Sequence, residues 1–292
     1  MSKIVVSANC QTAVLAKALK AMLVDWEIVP APSPKLFNAD EIHAFRRELK
    51  GAQFWFTVGE HYNPHDVVGN AKVKVVMVPH IHFEAFHPDI TYAHNSKNQR
   101  ITKFHYNSMI GLWCYKNKVS IRSARSLFSR ECYANLGYFT CWHACEERLR
   151  STFLKCGFSQ ESFLQFFSNI KRTGNFMHSI NHPQAHVSVR LAKHLLYQID
   201  PSFNQFSRVI IIEDPLTEKI WPLYPEIGEA LGVEGNYYWR INNQEIFGVE
   251  DYLSFVFESY ADQQIMPQDL MAANQQNYLV CDKILKKIYR RS

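Results

Sequence analysis

Short β-branched runs alternate with stretches of helical spacing over residues 1–80. Lys3 to Ser7 and Trp26 to Val29 read as strands, and Cys10 to Leu23 follows the first with apolar positions at Val14, Leu15, Leu19 and Leu23. Ala39 to Leu49 reads as a second helix, and Gln53 to Val58 and Val73 to Val78 as two more strands. The last of these is nearly all apolar, as a strand covered on both faces should be. Strands separated by helices predict an α/β fold, with a parallel sheet wound by right-handed crossovers in Rossmann-like or SGNH-like order.

From about Phe104 the pattern turns helical. Ser120 to Phe128, Tyr133 to Phe153 and Gln160 to Ile170 have helical spacing, and a polar loop, Thr173 to Pro183, precedes a further helix at Gln184 to Tyr197. Val209 to Ile212 reads as a strand returning to the sheet, and Val249 to Tyr260 and Pro267 to Arg290 as closing helices. The expected organisation is a sheet unit over 1–100, a mainly helical insertion or cap over 101–200, and a return strand with helices over 201–292, all in one globule.

The 292 residues can bury a substantial core, and 47% hydrophobic with 20% charged residues is an ordinary globular balance. Aromatic residues reach 14%, with 20 Phe and 14 Tyr. Lys and Arg exceed Asp and Glu by 32 to 27, a net +5 that suits anionic small ligands better than duplex nucleic acid. The odd count of 7 Cys, without an export signal, points to reduced thiols in the cytoplasm. The opening imitates a lipoprotein leader ending at Cys10, but its apolar stretch, Ile4 to Val6, is far short of the roughly 7–15 residues such a leader needs. No run approaches a membrane span. P-loop, GxGxxG and GxSxG patterns are absent, which disfavours nucleotide hydrolysis, the standard dinucleotide fold and an ordinary serine hydrolase.

Ala8-Asn9-Cys10-Gln11 stands between the first strand and its helix. Ligands of open parallel sheets bind at strand carboxyl ends, and a thiol at a helix N-terminus is favoured as thiolate. Cys10 is therefore placed as a nucleophile, with Asn9 and Gln11 as amide donors to a developing oxyanion; the alternative is a small buried residue closing a turn. In Asn181-His182-Pro183, Pro183 fits the first position of the next helix, which would leave His182 in a loop as a general base. His80, His82, His87 and Asp89 have spacing that zinc could use, but no second ligand cluster follows, so no metal is expected and Asp89 fits better as the acid that orients a catalytic histidine. Cys141 and Cys145 share a helix face whose other residues are apolar, which reads as packing. Arg122, Arg125 and Arg130, then Lys171 and Arg172, are cations suited to phosphate, or else a solvated helix face.

Asn9-Cys10-Gln11 after Ile4-Val5-Val6, then Phe86-His87-Pro88-Asp89 with Tyr92, then Asn181-His182-Pro183, together resemble the WcbI family of polysaccharide biosynthesis enzymes. The intervening Lys103-Phe104-His105-Tyr106-Asn107-Ser108 is similar to that family's middle region, and the likeness spans residues 1 to about 200. The resemblance implies an acetyltransferase that takes acetyl-CoA as acyl donor and a capsular or other surface polysaccharide, or its sugar precursor, as acceptor. It places Cys10 at the catalytic cysteine and His182 at the histidine, with Asn181 and Asp89 beside them. Arg122, Arg125, Lys171, Arg172, His105 and Ser108 are then the residues expected to hold coenzyme A. Ala8 replaces a glycine common in the family, and Met177-His178-Ser179-Ile180 replaces a smaller, Thr-type approach to the NHP segment, which bears on the acceptor pocket.

Two other classes share these features. A nucleophile after the first strand and a late histidine fit an SGNH-like esterase or deacetylase with water as acceptor. The aromatic surplus fits a non-catalytic sugar-binding component of a polysaccharide assembly system. A homo-oligomer is compatible with any of the three.

Overall fold

The computed structural model describes residues 2–60, 62–101, 106–205 and 209–290. It divides into two units, each built from separate stretches of chain. One comprises Met1–His82, Glu146–Met177 and Asn181–Thr217, and the other Phe83–Cys145, His178–Ile180 and Glu218–Ser292. The two units therefore interleave along the chain.

The first unit carries the parallel sheet. Its elements are β1 (Ser2–Ser7), α1 (Thr12–Met22), β2 (Trp26–Pro30), α2 (Ala39–Leu49), β3 (Phe54–Thr57), α3 (Pro64–Val68) and β4 (Lys74–Met77). The strand order is β2-β1-β3-β4, with every pair parallel. Residues of β1 face partners on both sides: Ile4 is level with Ile28 of β2 and with Phe54 of β3. Ile4, Val5 and Val6 are fully buried, each contributing about 1.5–3 kcal/mol. Alternation along the strands sends Val5 and Trp55 to one face, where Phe45, Leu49, Val67 and Val68 of α2 and α3 cover them. Helix α1 packs on β1 and on the helix Ala185–Ile199. The start of α2 is set by a capping box, in which Asn38 accepts from the Glu41 N–H while Glu41 accepts from the Asn38 N–H.

The second unit is less purely helical than the sequence pattern implies. Beside its helices it contains a three-stranded antiparallel sheet formed by Lys219–Ile220, Tyr238–Ile241 and Gln244–Phe247. The hairpin between the last two turns on Asn242 and Asn243, with φ of 50° and 63°. Positive φ at both central residues is what a type I′ turn demands, and asparagine tolerates it. The interior of this unit is aromatic: Trp239 stacks on Tyr252 with ring centres 4.3 Å apart, and Tyr133 stacks on Tyr224 at 5.4 Å.

Three other expectations are corrected. Val209 to Ile212 forms no strand; Val209 and Ile211 are 88% and 89% exposed, because β-propensity makes no strand where no neighbour supplies a ladder. The helix expected over Tyr133 to Phe153 is broken into Arg130–Asn135 and Trp142–Lys155, with Gly137 in the left-handed region (φ 78°) between them. Pro183 does not open a helix: it lies in the short strand His182–Pro183, and the helix starts at Ala185.

Asp89 is completely buried in the second unit. Its carboxylate accepts hydrogen bonds from the Tyr138 hydroxyl (2.9 Å), the Tyr224 hydroxyl (2.8 Å) and the Ile110 N–H (3.1 Å). Burial pushes its pKa up from 3.8 to about 6, against the pull of Ser108, Tyr224, Ile110 and Tyr138. A carboxyl group with a raised native pKa holds its proton in the folded state at pH values where the unfolded chain has lost it. Its contribution to stability therefore falls as pH rises from about 4 to about 6, by about 3 kcal/mol. Asp89→Asn is expected to remove this fall, measured as urea midpoints across that pH range; an unchanged slope would refute the assignment.

Candidate functional site

The order β2-β1-β3-β4 reverses direction at β1, so the carboxyl ends of β1 and β3 flank the crevice where doubly wound sheets bind ligands. Side chains tie these ends together: the Ser7 hydroxyl donates to Thr57 Oγ1 (3.1 Å) and accepts from the Trp55 indole N–H (2.8 Å). After Ser7 the chain turns sharply. Asn9 is left-handed (φ 53°), Asn9–Gln11 form a single 3₁₀ turn, and α1 begins at Thr12. The Thr12 hydroxyl pins the turn by accepting from the Ala8 N–H (2.7 Å) and donating to the Asn9 carbonyl (2.9 Å). The result is a strand–turn–helix that presents Cys10 to solvent, the physical logic of a nucleophile elbow.

Two further strand ends supply the partners of Cys10. Glu60 follows β3 and His80 follows β4, and His80 Nδ1 lies 3.1 Å from Glu60 Oε1. The other Glu60 oxygen accepts from the Asn9 side-chain amide at 3.4 Å. Gly59 makes the turn before Glu60 in the left-handed region (φ 66°), where a Cβ would lie 2.5 Å from the Met77 methyl. Burial of the His80 ring opposes its charge, but Cys10 and Glu60 beside it outweigh burial and push its pKa up to about 9. Its Nε2 is buried with no hydrogen bond of normal geometry, so the coupling between Cys10 and His80 is one of proximity and charge.

Gln11 fastens these segments to one another. It is 3% exposed; its amide donates to the Ile81 carbonyl (2.8 Å) and the Asn181 carbonyl (3.0 Å), and its oxygen accepts from the Ile81 N–H (3.4 Å). The expected role of Gln11 as an oxyanion donor is therefore corrected: both its ends are committed, and it positions the His80–Ile81 loop and Asn181 around the cysteine. Cys10 Sγ–H points to the Asn181 carbonyl at 3.8 Å, and the Asn181 amide approaches the sulfur at 3.9 Å.

The sequence-based candidates thus fall in different places. Asn9, Cys10, Gln11 and Asn181 come together. His182, the next residue, is buried in its short strand, and the imidazole that feels Cys10 is that of His80. Asp89 is bound by tyrosines and a backbone N–H in the other unit, so the carboxylate hydrogen-bonded to a histidine here is Glu60. Ser108 is buried and caps the helix Met109–Lys116 by accepting from the Gly111 N–H, which removes it as a ligand contact. His105 lies outside the described residues.

Arg122 and Arg125 are exposed on the helix Ile121–Ser126 of the second unit, Arg125 paired with Glu250 at 3.4 Å, whereas Lys171 and Arg172 are exposed in the first unit. Among the described residues no three His, Cys, Asp or Glu side chains are grouped to hold a metal ion. Glu60 and His80 escaped the sequence reading as a catalytic pair. Their one signal was position, since each follows a strand at its carboxyl end.

If Glu60 holds the proton on His80, Glu60→Gln lowers the midpoint of the His80 imidazole by a unit or more from about 9, read by histidine NMR. An unmoved midpoint would show that Glu60 does not support the charge.

The family described as polysaccharide biosynthesis enzyme WcbI matches residues 3–204 of this chain. Among solved structures, one described as native WcbI, a polysaccharide biosynthesis enzyme, without a disulfide bond between coenzyme A and a cysteine, aligns with a TM-score of 0.67 and 14% identity. The alignment covers 99% of this chain and 97% of that one, and at that identity it shows a shared fold. A second, a metal-free periplasmic metal-binding protein from Candidatus Liberibacter asiaticus, covers 99% of both chains at 12% identity, but its TM-score of 0.23 carries no argument. No curated protein matches. With an α/β fold shared along nearly its whole length and a family match that includes both the Cys10 turn and the Asn181 segment, the chain belongs to the WcbI family of polysaccharide biosynthesis enzymes.

Proposed function

We propose that this enzyme is a coenzyme A-dependent acyltransferase that acetylates a capsular or other surface polysaccharide, or its sugar precursor, through Cys10, His80 and Glu60. The observation that carries the reading is an exposed thiol at the sheet's carboxyl edge beside a histidine that Cys10 and Glu60 hold protonated at neutral pH. Coenzyme A enters from the WcbI structure described above, which is distinguished by lacking a disulfide bond between coenzyme A and a cysteine. No helix among the described residues is long and apolar enough to cross a membrane, and we place the reaction in the cytoplasm, where acyl-CoA is made.

The thiolate of Cys10 is the nucleophile, and the His80 imidazolium beside it is the proton partner. Cys10 Sγ attacks the acyl carbonyl, and the side-chain amides of Asn9 and Asn181 with backbone N–H groups of the turn receive the oxyanion. As the carbon–sulfur bond to the coenzyme breaks, His80 gives its proton to the departing thiolate, leaving a thioester on Cys10. His80, now neutral, takes the proton of an acceptor hydroxyl as that oxygen attacks the thioester, and Cys10 leaves as thiolate beside the restored imidazolium. Glu60 keeps the ring oriented and supports its charge in both halves.

Titration calorimetry with coenzyme A under reductant tests this directly. Micromolar binding is expected for the wild type and for Cys10→Ala, with transfer to sugar acceptors lost at least about a thousandfold in the variant. Absence of binding at millimolar coenzyme, or full transfer by Cys10→Ala, would overturn the proposal. Rapid acetate release without any acceptor would assign the same residues to hydrolysis.

A further inference from the structure

The helices Gln160–Lys171 and Ala185–Ile199 of the first unit meet through apolar faces. Phe163, Phe166, Phe167 and Ile170 on one, and Val187, Leu191 and Leu195 on the other, are buried. Beside that seam each helix carries a polar stripe at helical spacing. Ser162, Gln165 and Asn169 face Arg190, Lys193, His194 and Tyr197 across a cleft of about 540 Å³, with Ser159 and Glu161 at the start of the first helix. None of these residues belongs to the Cys10 group.

The cleft has a defined polar floor. His194 rests edge-on against Phe166, ring centres 5.6 Å apart, and its Nδ1 lies 3.1 Å from the Ser162 hydroxyl. Burial first, and then the positive charge of Arg190, hold His194 below the ordinary imidazole value. Arg190 forms no ion pair among the described residues. Arg190 and Lys193 against Glu161 give the lining one net positive charge, and protonation of His194 would add another. Arg190 therefore repels charge on a histidine that already has a hydroxyl partner, an arrangement that an anion between the two would relieve.

We propose that this cleft binds the phosphate group of a small phosphorylated ligand. Arg190 offers a planar fork of N–H donors, Lys193 a point charge, and His194 a further donor once protonated. Ser162, Gln165 and Asn169 supply hydroxyl and amide groups for sugar or phosphate oxygens, and half-exposed Tyr197 offers a flat face to a ring. The phosphate has two chemical sources here, the nucleotide end of coenzyme A or a sugar phosphate acceptor. A neutral sugar fits the lining less well, because it would leave Arg190 without a counter-charge among the described residues.

Histidine NMR on the full-length protein tests the site with inorganic pyrophosphate as first probe. Pyrophosphate is expected to shift the His194 resonances and raise the midpoint of that ring. Arg190→Gln and Lys193→Gln are each expected to weaken the response about tenfold, and Cys10→Ala to leave it unchanged. Arg190→Lys, which keeps the charge, recovers part of the binding and separates loss of the site from loss of fold. Adenosine bisphosphate and a hexose phosphate, titrated separately, then identify the source: a His194 response to either supports the proposal and names its ligand. No response to any of the three at millimolar concentration, or a response that persists in both glutamine variants, would overturn it. Acylation of Cys10 by a phosphate-free acetyl thioester, read by intact mass, reports the Cys10 chemistry alone, so failure here stands apart from failure of the acyltransfer reading.

Discussion

Parallel pairing of β1 with β2 on one side and β3 on the other is the constraint on which the candidate site depends. Parallel strands place all their carboxyl ends on one edge, and the reversal of order at β1 opens a crevice there. Asn9 and Cys10 leave β1, Glu60 leaves β3 and His80 leaves β4 at that edge, so residues far apart in sequence meet without any long-range element of their own. Had the pairing slipped by one residue, β1 would have exchanged its faces and the turn after Ser7 would point elsewhere. The burial of Ile4, Val5 and Val6 on both sides of the sheet resists such a slip.

The same edge shows how a charge is kept in a buried place. His80 would lose its proton to burial alone, and retains it because a carboxylate and a thiol stand beside it. Asp89, in the other unit, illustrates the opposite balance. Two phenols and a backbone N–H hydrogen-bond its carboxylate, and burial still raises its pKa to about 6. Cost and compensation differ because neutral donors stabilise a charge less than an opposite charge does.

Much of the first unit was legible in the sequence because its signals are local. The apolar runs at Lys3 to Ser7 and Val73 to Val78 and the spacing of Val14, Leu15 and Leu19 each lie within one element. Asn9, Cys10 and Asn181 were legible through their motifs. His80 and Glu60 were not read as a pair, because their contact depends on β3 and β4 being neighbours, which no spacing encodes. Asp89 misled for the complementary reason: its place in a motif said nothing of Tyr138 and Tyr224, brought to it by the fold. The Asn242-Asn243 hairpin carried a local turn signal that the helical pattern around it obscured, and Val209 to Ile212 carried strand propensity with no strand to join.

Every residue role proposed for the sheet's carboxyl edge serves one step, in which Cys10 carries the acyl group with His80 as its proton partner. Intact-mass analysis after mixing with acetyl-CoA, with the modified residue located by peptide mapping, measures this most directly. A gain of one acetyl group on Cys10 is expected in the wild type, none in Cys10→Ala, and much slower gain in His80→Asn while the acyl donor still binds. Acetylation that His80→Asn leaves at the wild-type rate, or transfer to acceptor without any acetyl on Cys10, would contradict it.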